Sequence, residues 1–455
     1  MKRNLTIVVI MLAACWVTAP QLGAQAPADL DARVAADLDA LLATYRHLHA
    51  NPELSYQEKE TAALVARELR ALGFEVTENF GAYPAVQGAA ARAAYGVVAV
   101  MRNGAGPTIM VRTDLDALPV EERTGVPYAS RAKAMQEGTE VSVMHACGHD
   151  VHMTSFLGTA RLLTKMKDRW AGTLIMIGQP AEERGAGAAA MLRAGLYTKF
   201  PRPQTVVALH VMADVPAGQV GMVEGFTLAS SDSVDVTIYG VGGHGAAPHA
   251  TKDPVVIAAQ FINAIQTIVS RELNPLDPAV VTVGSIHAGT KHNIISDEAR
   301  LQLTVRAYKP EVRERILNSL ERIARGVAAA AGVPNDRMPV VRWSREESTP
   351  STYNDPPMTR RLGAAIRGAI GAENVIDGSP IMPAEDFSRF GLEEPRVPIV
   401  MFWLGASDPK ILREAKEKGM PAPGLHSALF TPVPDVAIRT GVKAMTAAVL
   451  DLMKK

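Results

Sequence analysis

Apolar residues recur every three or four positions through Leu30, Val34, Leu38, Leu41, Leu42 and Tyr45, the spacing of one helix face, and Pro52 closes the segment. A second helix is predicted from about Glu58 to Leu72, with Gly73 as its C-terminal stop. The period then changes. Val97 to Met101 and Thr108 to Arg112 read as strands, followed by a helix after Asp150, a strand Thr173 to Gly178, a helix near Gly187 to Leu192 and a strand Val206 to His210. Strands alternating with helices predict an α/β fold with a mostly parallel sheet and helices on both faces. Ligands bind such sheets beyond the carboxyl ends of the strands. Asp114, Asp116, Glu182, Glu183 and His210 all fall at or just after those ends.

The middle of the chain has a different rhythm. Ser233 to Val241 alternates like a half-buried strand, Asp253 to Ser270 is an amphipathic helix, Val280 to Ile286 and Leu301 to Ala307 are strands, Val312 to Ala331 is a long helix, and Val340 to Trp343 is a last strand. That order is the split βαβ, ferredoxin-like arrangement of a compact α+β unit. The α/β pattern resumes with a helix near Met358 to Ile370, a strand Pro398 to Leu404 and a terminal helix from about Pro434. We therefore expect an α/β domain in two parts, residues 27–222 and 344–455, interrupted by an inserted unit at residues 223–343. The length of 455 residues agrees, since it exceeds what one ordinary core organises.

Residues 1–26 stand apart. Lys2 and Arg3, the apolar stretch Leu5 to Val17, Pro20 and the small-residue site Ala24, Gln25, Ala26 form a signal peptide pattern, with cleavage after Ala26 and export to the periplasm or the extracellular space. An alternative is a lipoprotein box at Leu12, Ala13, Ala14 and Cys15. The stretch is shorter than the roughly 20 apolar residues of a membrane span, and no later run is long enough. Basic and acidic residues number 47 each, without a block of like charge, which removes the electrostatic case for nucleic-acid binding.

Cysteine usage narrows the chemistry. Cys15 and Cys147 are the two cysteines, so ordinary processing leaves one thiol and no internal disulfide. Cys147 lies in Met144-His-Ala-Cys-Gly-His-Asp150, two residues from His149, and a bound divalent cation would protect such a thiolate. Adjacent Glu182 and Glu183 at a strand end suit divided labour, one binding metal while the other moves protons. Gly185, Gly187 and Ala190 imitate a dinucleotide fingerprint, but the two glutamates between strand and glycines would repel a pyrophosphate. A serine hydrolase lacks its G-x-S-x-G elbow. A non-catalytic binding protein on the same fold is the remaining rival. His145 and His152 read as supporting residues, and His47 and His49 as helix residues at a domain edge.

Six segments occur in order: RHLHANPELS from Arg46, RTDLDALP from Arg112, MHACGHD from Met144, QPAEE from Gln179, GGHGAAPH from Gly242 and GLHS from Gly424. In these the chain resembles the metallo-amidohydrolases of the aminoacylase and carboxypeptidase clan, in the branch of hippurate hydrolases, N-acyl-amino-acid amidohydrolases and auxin-conjugate hydrolases. The resemblance implies a di-metal catalytic domain with an inserted lid and dimerisation domain, and a homodimer joined through the lid. It implies Cys147, His149, Glu183, His210 and His426 as metal ligands, Glu182 as general base and Asp116 as an orienting carboxylate. Two divalent ions are expected, zinc or manganese, with cobalt and nickel also compatible with the donor set. A water shared by them would lose a proton near neutral pH and attack the amide of an N-acyl amino acid or, alternatively, of a short peptide. His244, on a glycine loop, is placed by the resemblance in the partner subunit's site, and Asn293 and Arg306 are similar to lid residues that receive the substrate carboxylate. Ser296 stands where the branch usually has Pro, which alters the expected shape of the pocket.

Overall fold

The computed structural model describes residues 26–84, 92–343 and 348–455. Residues 1–25, which carry most of the expected export signal and Cys15, lie outside the described residues. The main sheet has eight strands in the spatial order Glu75–Thr77, Val97–Asn103, Gly172–Gln179, Thr108–Asp114, Thr205–Pro216, Ile399–Ser407, Val220–Met222 and Val375–Asp377. Its four central strands run parallel, and antiparallel neighbours flank them on both sides. Successive residues of a strand point to opposite faces. Accordingly Val97, Ala99 and Met101 enter the core beneath helices Ala26–Ala50, His149–Lys165 and Pro434–Met453, while Val98 and Val100 enter a second core with Phe387, Phe390 and Trp403. Burial on both faces explains why these segments are unbroken apolar runs.

The inserted unit has its own core of Val234, Val236, Ile238, Phe261, Ile316 and Leu320. Its strands lie in the order Val340–Trp343, Asp232–Tyr239, Glu298–Ala307 and Ala279–Ala288, all neighbours antiparallel, with helices Pro254–Thr267 and Pro310–Ala330 packed on them. That is the ferredoxin-like order expected of a split βαβ pattern. The first of these helices begins where Asp253 accepts a hydrogen bond from the Val255 amide and Pro254 opens the first turn. The chain enters and leaves the unit side by side, through the antiparallel pair Gly225–Leu228 and Thr352–Asn354. Among the described residues, no helix is long and apolar enough to cross a membrane.

Several elements depart from the periodicity reading. The strand Thr205–Pro216 continues past His210, because Val211 and Ala213 remain buried. The edge strands Glu75–Thr77 and Val375–Asp377, and Val220–Met222 next to the latter, are too short to carry a period. A hairpin, Lys133–Gln136 with Thr139–Ser142, turns at Glu137 and Gly138, both left-handed as in a type I′ turn.

Candidate metal centre

The predicted donors collect at the carboxyl ends of the parallel strands. Thr108–Asp114 leads into Asp116, and Gly172–Gln179 leads through Pro180 and Ala181 into Glu182 and Glu183. Helix His149–Lys165 starts directly after Gly148, whose φ is +80° and where a Cβ would lie 2.5 Å from Val211 Cγ2. Glycine between Cys147 and His149 thus lets the segment turn into the helix against the neighbouring strand. Gly187 has an equally local reason, since a Cβ there would fall 1.5 Å from the Pro180 oxygen. Close packing of the helix start on the glutamate turn accounts for this glycine without a nucleotide.

Cys147, His149 and His210 form one group of candidate donors, and Cys147, Glu183 and His426 a second; within each group the donor atoms lie within 4.8 Å of one another. The thiol is common to both. Cys147 Sγ is 3.6 Å from His210 Nε2, and Glu183 Oε1 is 3.8 Å from His149 Nε2 and 3.6 Å from His426 Nε2. Nδ1 of His149 lies 2.7 Å from the Asp116 carbonyl oxygen, and Nδ1 of His210 lies 2.7 Å from that of Val211. A ring that donates its Nδ1 proton there turns Nε2 toward the cluster, and deprotonation of Nε2 offers its lone pair to a cation. His149 Nε2 and Glu183 Oε1 are buried without a hydrogen-bond partner among the described residues, a costly arrangement for polar atoms and a suitable one for cation ligands. His426 comes from a loop, has φ +63°, and its amide donates to the Ala146 carbonyl, which ties that loop to the Cys147 segment.

His210 is not at a strand's exit, as its apolar run implied; it sits inside Thr205–Pro216, with Nε2 3.6 Å from Cys147 Sγ. His49 is not at a domain edge either. It is buried, with Nδ1 2.6 Å from Asp150 and Nε2 3.0 Å from Glu122. Burial lowers its pKa, but the two carboxylates outweigh burial and raise it to about 10. His152 uses both ring nitrogens, one with Asp114 at 2.8 Å and one accepting from the Val211 amide, so it supports the site. His145 is also buried.

A polar layer beneath the donors is only partly legible in the sequence. Arg112, fully buried, donates to Asp114 and Glu385 at 2.8 Å and to Gln179 at 2.9 Å. Arg112 and Asp114 belong to the RTDLDALP segment, but Glu385 and Asp386 come from 273 and 274 positions further along and carry no local signal. Asp116 accepts from Ser55 Oγ at 2.6 Å and from the Glu183 amide at 3.0 Å, consistent with an orienting position. Burial, then Glu385 and Glu183, push the Glu182 carboxyl well above the carboxylate range. Burial also lifts Glu183 to about 7, against the opposing pull of His149. The Cys147 thiol is raised by burial, then by Glu183 and Glu182. So much negative charge around two imidazoles and a thiol is a setting for divalent cations.

In the inserted unit, Gly243–His244 pairs with Ile294–Ile295, so His244 and Asn293 share one exposed edge. His244 Nδ1 accepts from the Ala246 amide, and the Asn293 carbonyl accepts from the Gly245 amide. Arg306 is half-buried, donating to Thr304 Oγ1 at 3.2 Å. Among the described residues no hydrogen bond or ion pair joins His244, Asn293 or Arg306 to the donor cluster. Ser296, at the position of the expected proline, donates to the Glu298 carbonyl. Beside Glu183 opens a cleft of about 510 Å³ whose walls include Leu54, Tyr56, Ala117, Leu118 and Met135.

Comparison with known proteins agrees with this geometry. The chain is 37% identical to thermostable carboxypeptidase 2 of Saccharolobus solfataricus over 374 residues, 82% of this chain and 87% of that protein. It is 35% identical to the hippurate hydrolase of Campylobacter jejuni over 357 residues, 78% of this chain and 86% of that one. The crystal structure of the Bacillus subtilis YXEP protein, a dinuclear metal binding peptidase from the M20 family, superposes with a TM-score of 0.69 at 28% identity, covering 91% of this chain and 98% of that one. Residues 110–418 match the peptidase family M20/M25/M40. The donor cluster, the inserted unit and these likenesses converge: the chain belongs to peptidase family M20/M25/M40 and is a metal-dependent hydrolase of amide or peptide bonds.

Proposed function

We propose that the protein is an exported, two-metal amidohydrolase that cleaves N-acyl amino acids of the hippurate type into an amino acid and a carboxylic acid. The observation that carries this reading is the meeting of Cys147, His149, Glu183, His210 and His426 in two donor groups that share the thiol. These residues would hold the two ions, zinc or manganese, with cobalt and nickel compatible. When bound, the ions supply Lewis acidity toward a water and the amide carbonyl. Glu182, buried beside the donor cluster and with a raised pKa, takes the proton of the attacking water at its carboxylate and returns it to the departing amine nitrogen. Asp116 fixes the His149 ring through its carbonyl and the Glu183 backbone through its carboxylate. In this reading the lid supplies the remaining contacts: His244 from a partner subunit steadies the oxyanion, and Asn293 and Arg306 receive the substrate carboxylate. A homodimer joined through the lid is part of the proposal.

The cleft beside Glu183, where Leu54, Tyr56, Leu118 and Met135 stand among polar residues that include Gln57, Arg92 and Arg184, has room for a small acyl group. Likeness to a thermostable carboxypeptidase favours a second reading, hydrolysis of short peptides at the same site. Elemental analysis of the purified protein and a panel of hippurate-like amides, N-acetyl amino acids, indoleacyl amino acids and dipeptides test both. Two divalent ions per chain and a kcat/KM for acyl amides roughly tenfold or more above dipeptides are expected; the opposite ranking selects the peptidase reading. Export is tested by N-terminal sequencing of the mature protein, which should begin at Pro27.

A further inference from the structure

Glu58 stands one residue ahead of helix Lys59–Ala71 and has no exposed surface. Its side chain turns inward, where Oε1 accepts from two backbone amides, Tyr56 at 2.8 Å and Ala181 at 2.7 Å. Both donors are left-handed, Tyr56 at φ +70° and Ala181 at φ +47°, and neither is glycine. Such conformations persist in residues with a Cβ only where the surroundings over-determine them. Ala181 immediately precedes Glu182, and two residues further the Glu183 amide is held by Asp116, which also accepts from Ser55, the neighbour of Tyr56. The Pro180–Ala181 and Glu182–Glu183 peptides, which bracket the turn carrying Glu182, are thus each tied to a buried carboxyl group, and the same two groups tie in the Ser55–Tyr56 turn.

We propose that Glu58 is a positioning residue for the hydrolysis: by holding the Ala181 amide it keeps the turn left-handed and so aims Glu182 at the donor cluster, where its Oε2 lies 3.9 Å from His149 Nε2. The proposal rests on the reading of Glu182 as general base. A small misplacement of a catalytic group costs on the order of a hundredfold in rate, so Glu58→Ala should lower kcat by roughly thirtyfold or more, with KM within about threefold and metal content unchanged. Glu58→Gln keeps an oxygen for both amides and should remain within about threefold of wild type. Glycine adopts the left-handed backbone without strain, so Ala181→Gly added to Glu58→Ala should recover part of the lost kcat. The proposal is overturned if Glu58→Ala keeps wild-type kcat, if its rate falls only in proportion to lost metal, if Glu58→Gln is as slow as Glu58→Ala, or if the added glycine restores nothing. Should Glu58→Ala fail to fold, Glu58→Asp withdraws the same oxygen by one methylene and is read by the same criteria. Glu182→Gln separates the two levels: full turnover there removes the general-base reading itself, whereas an inactive Glu182→Gln beside an unaffected Glu58→Ala removes only the positioning role.

Discussion

Replacing Glu183 with Gln should move stability in opposite directions in the metal-free and the metal-loaded protein. Burial lifts the Glu183 carboxyl from an ordinary 4.5 to about 7 in the folded chain. An acid whose folded pKa is raised contributes nothing adverse below its unfolded value, destabilises increasingly from there to its folded value, and imposes its full cost above it. The interval from 4.5 to about 7, at about 1.4 kcal/mol per pH unit, amounts to roughly 3 kcal/mol. Glutamine removes that cost without losing a hydrogen bond at Oε1, which has no partner among the described residues. With about 2.1 cal/mol/K of unfolding entropy per residue over a chain of this length, metal-free Glu183→Gln should melt roughly 3 °C above metal-free wild type near pH 8. The difference should vanish near pH 4.5. With divalent metal the order should invert, because a site weakened about a thousandfold loses about 4.1 kcal/mol of ligand stabilisation, more than the roughly 3 kcal/mol gained. Circular-dichroism melts with chelator and with excess metal, at both pH values, measure all four numbers. A metal-free variant no more stable than wild type at pH 8 would refute the reasoning, since Glu183 would then not be an uncompensated buried acid.

Glu182→Gln should reduce kcat by about 10²–10⁴ while elemental analysis finds wild-type metal content, and near-normal turnover would remove Glu182 from the base role. Cys147 should react slowly with thiol reagents in the metal-loaded protein and rapidly once a chelator has stripped it, with activity returning on added cation; equal labelling in both forms would mark an inert core thiol. His49, its pKa raised to about 10, stabilises the fold fully below pH 6.5 and loses that contribution as pH rises through about 10. His49→Leu should therefore cost on the order of 3–5 kcal/mol near pH 6 and much less above pH 10, read by denaturant titration. Mixing inactive Glu182→Gln and His244→Ala proteins under subunit exchange should restore about a quarter of wild-type activity if His244 acts across a dimer, and none if it acts in its own subunit or outside catalysis.

Much of the site was legible along the chain because its chemistry is local. Cys147, Gly148 and His149 carry a helix start and two donors in three residues, and Glu182 and Glu183 follow an apolar run whose end marks a strand's carboxyl edge. The ferredoxin-like unit was legible for a related reason: strand and helix periods differ, so their order can be read without knowing any contact. His426 was found through resemblance alone, since a loop histidine has no period to place it.

Tertiary structure decided what depends on meetings between distant segments. Whether an imidazole donates its Nδ1 proton to a carbonyl and turns Nε2 toward a cluster depends on which backbone lies beside it, as Asp116 does for His149. That Arg112 is satisfied by Glu385, or that Glu58 reaches Ala181 across 123 positions, has no trace in spacing. Patterns of apolar residues report only which face of each element is buried, because burial is a property of one residue and the solvent. Hydrogen bonds and buried charges are properties of pairs, with geometry set by the packing of the whole chain, so their partners emerge only once the sheet and its loops are assembled.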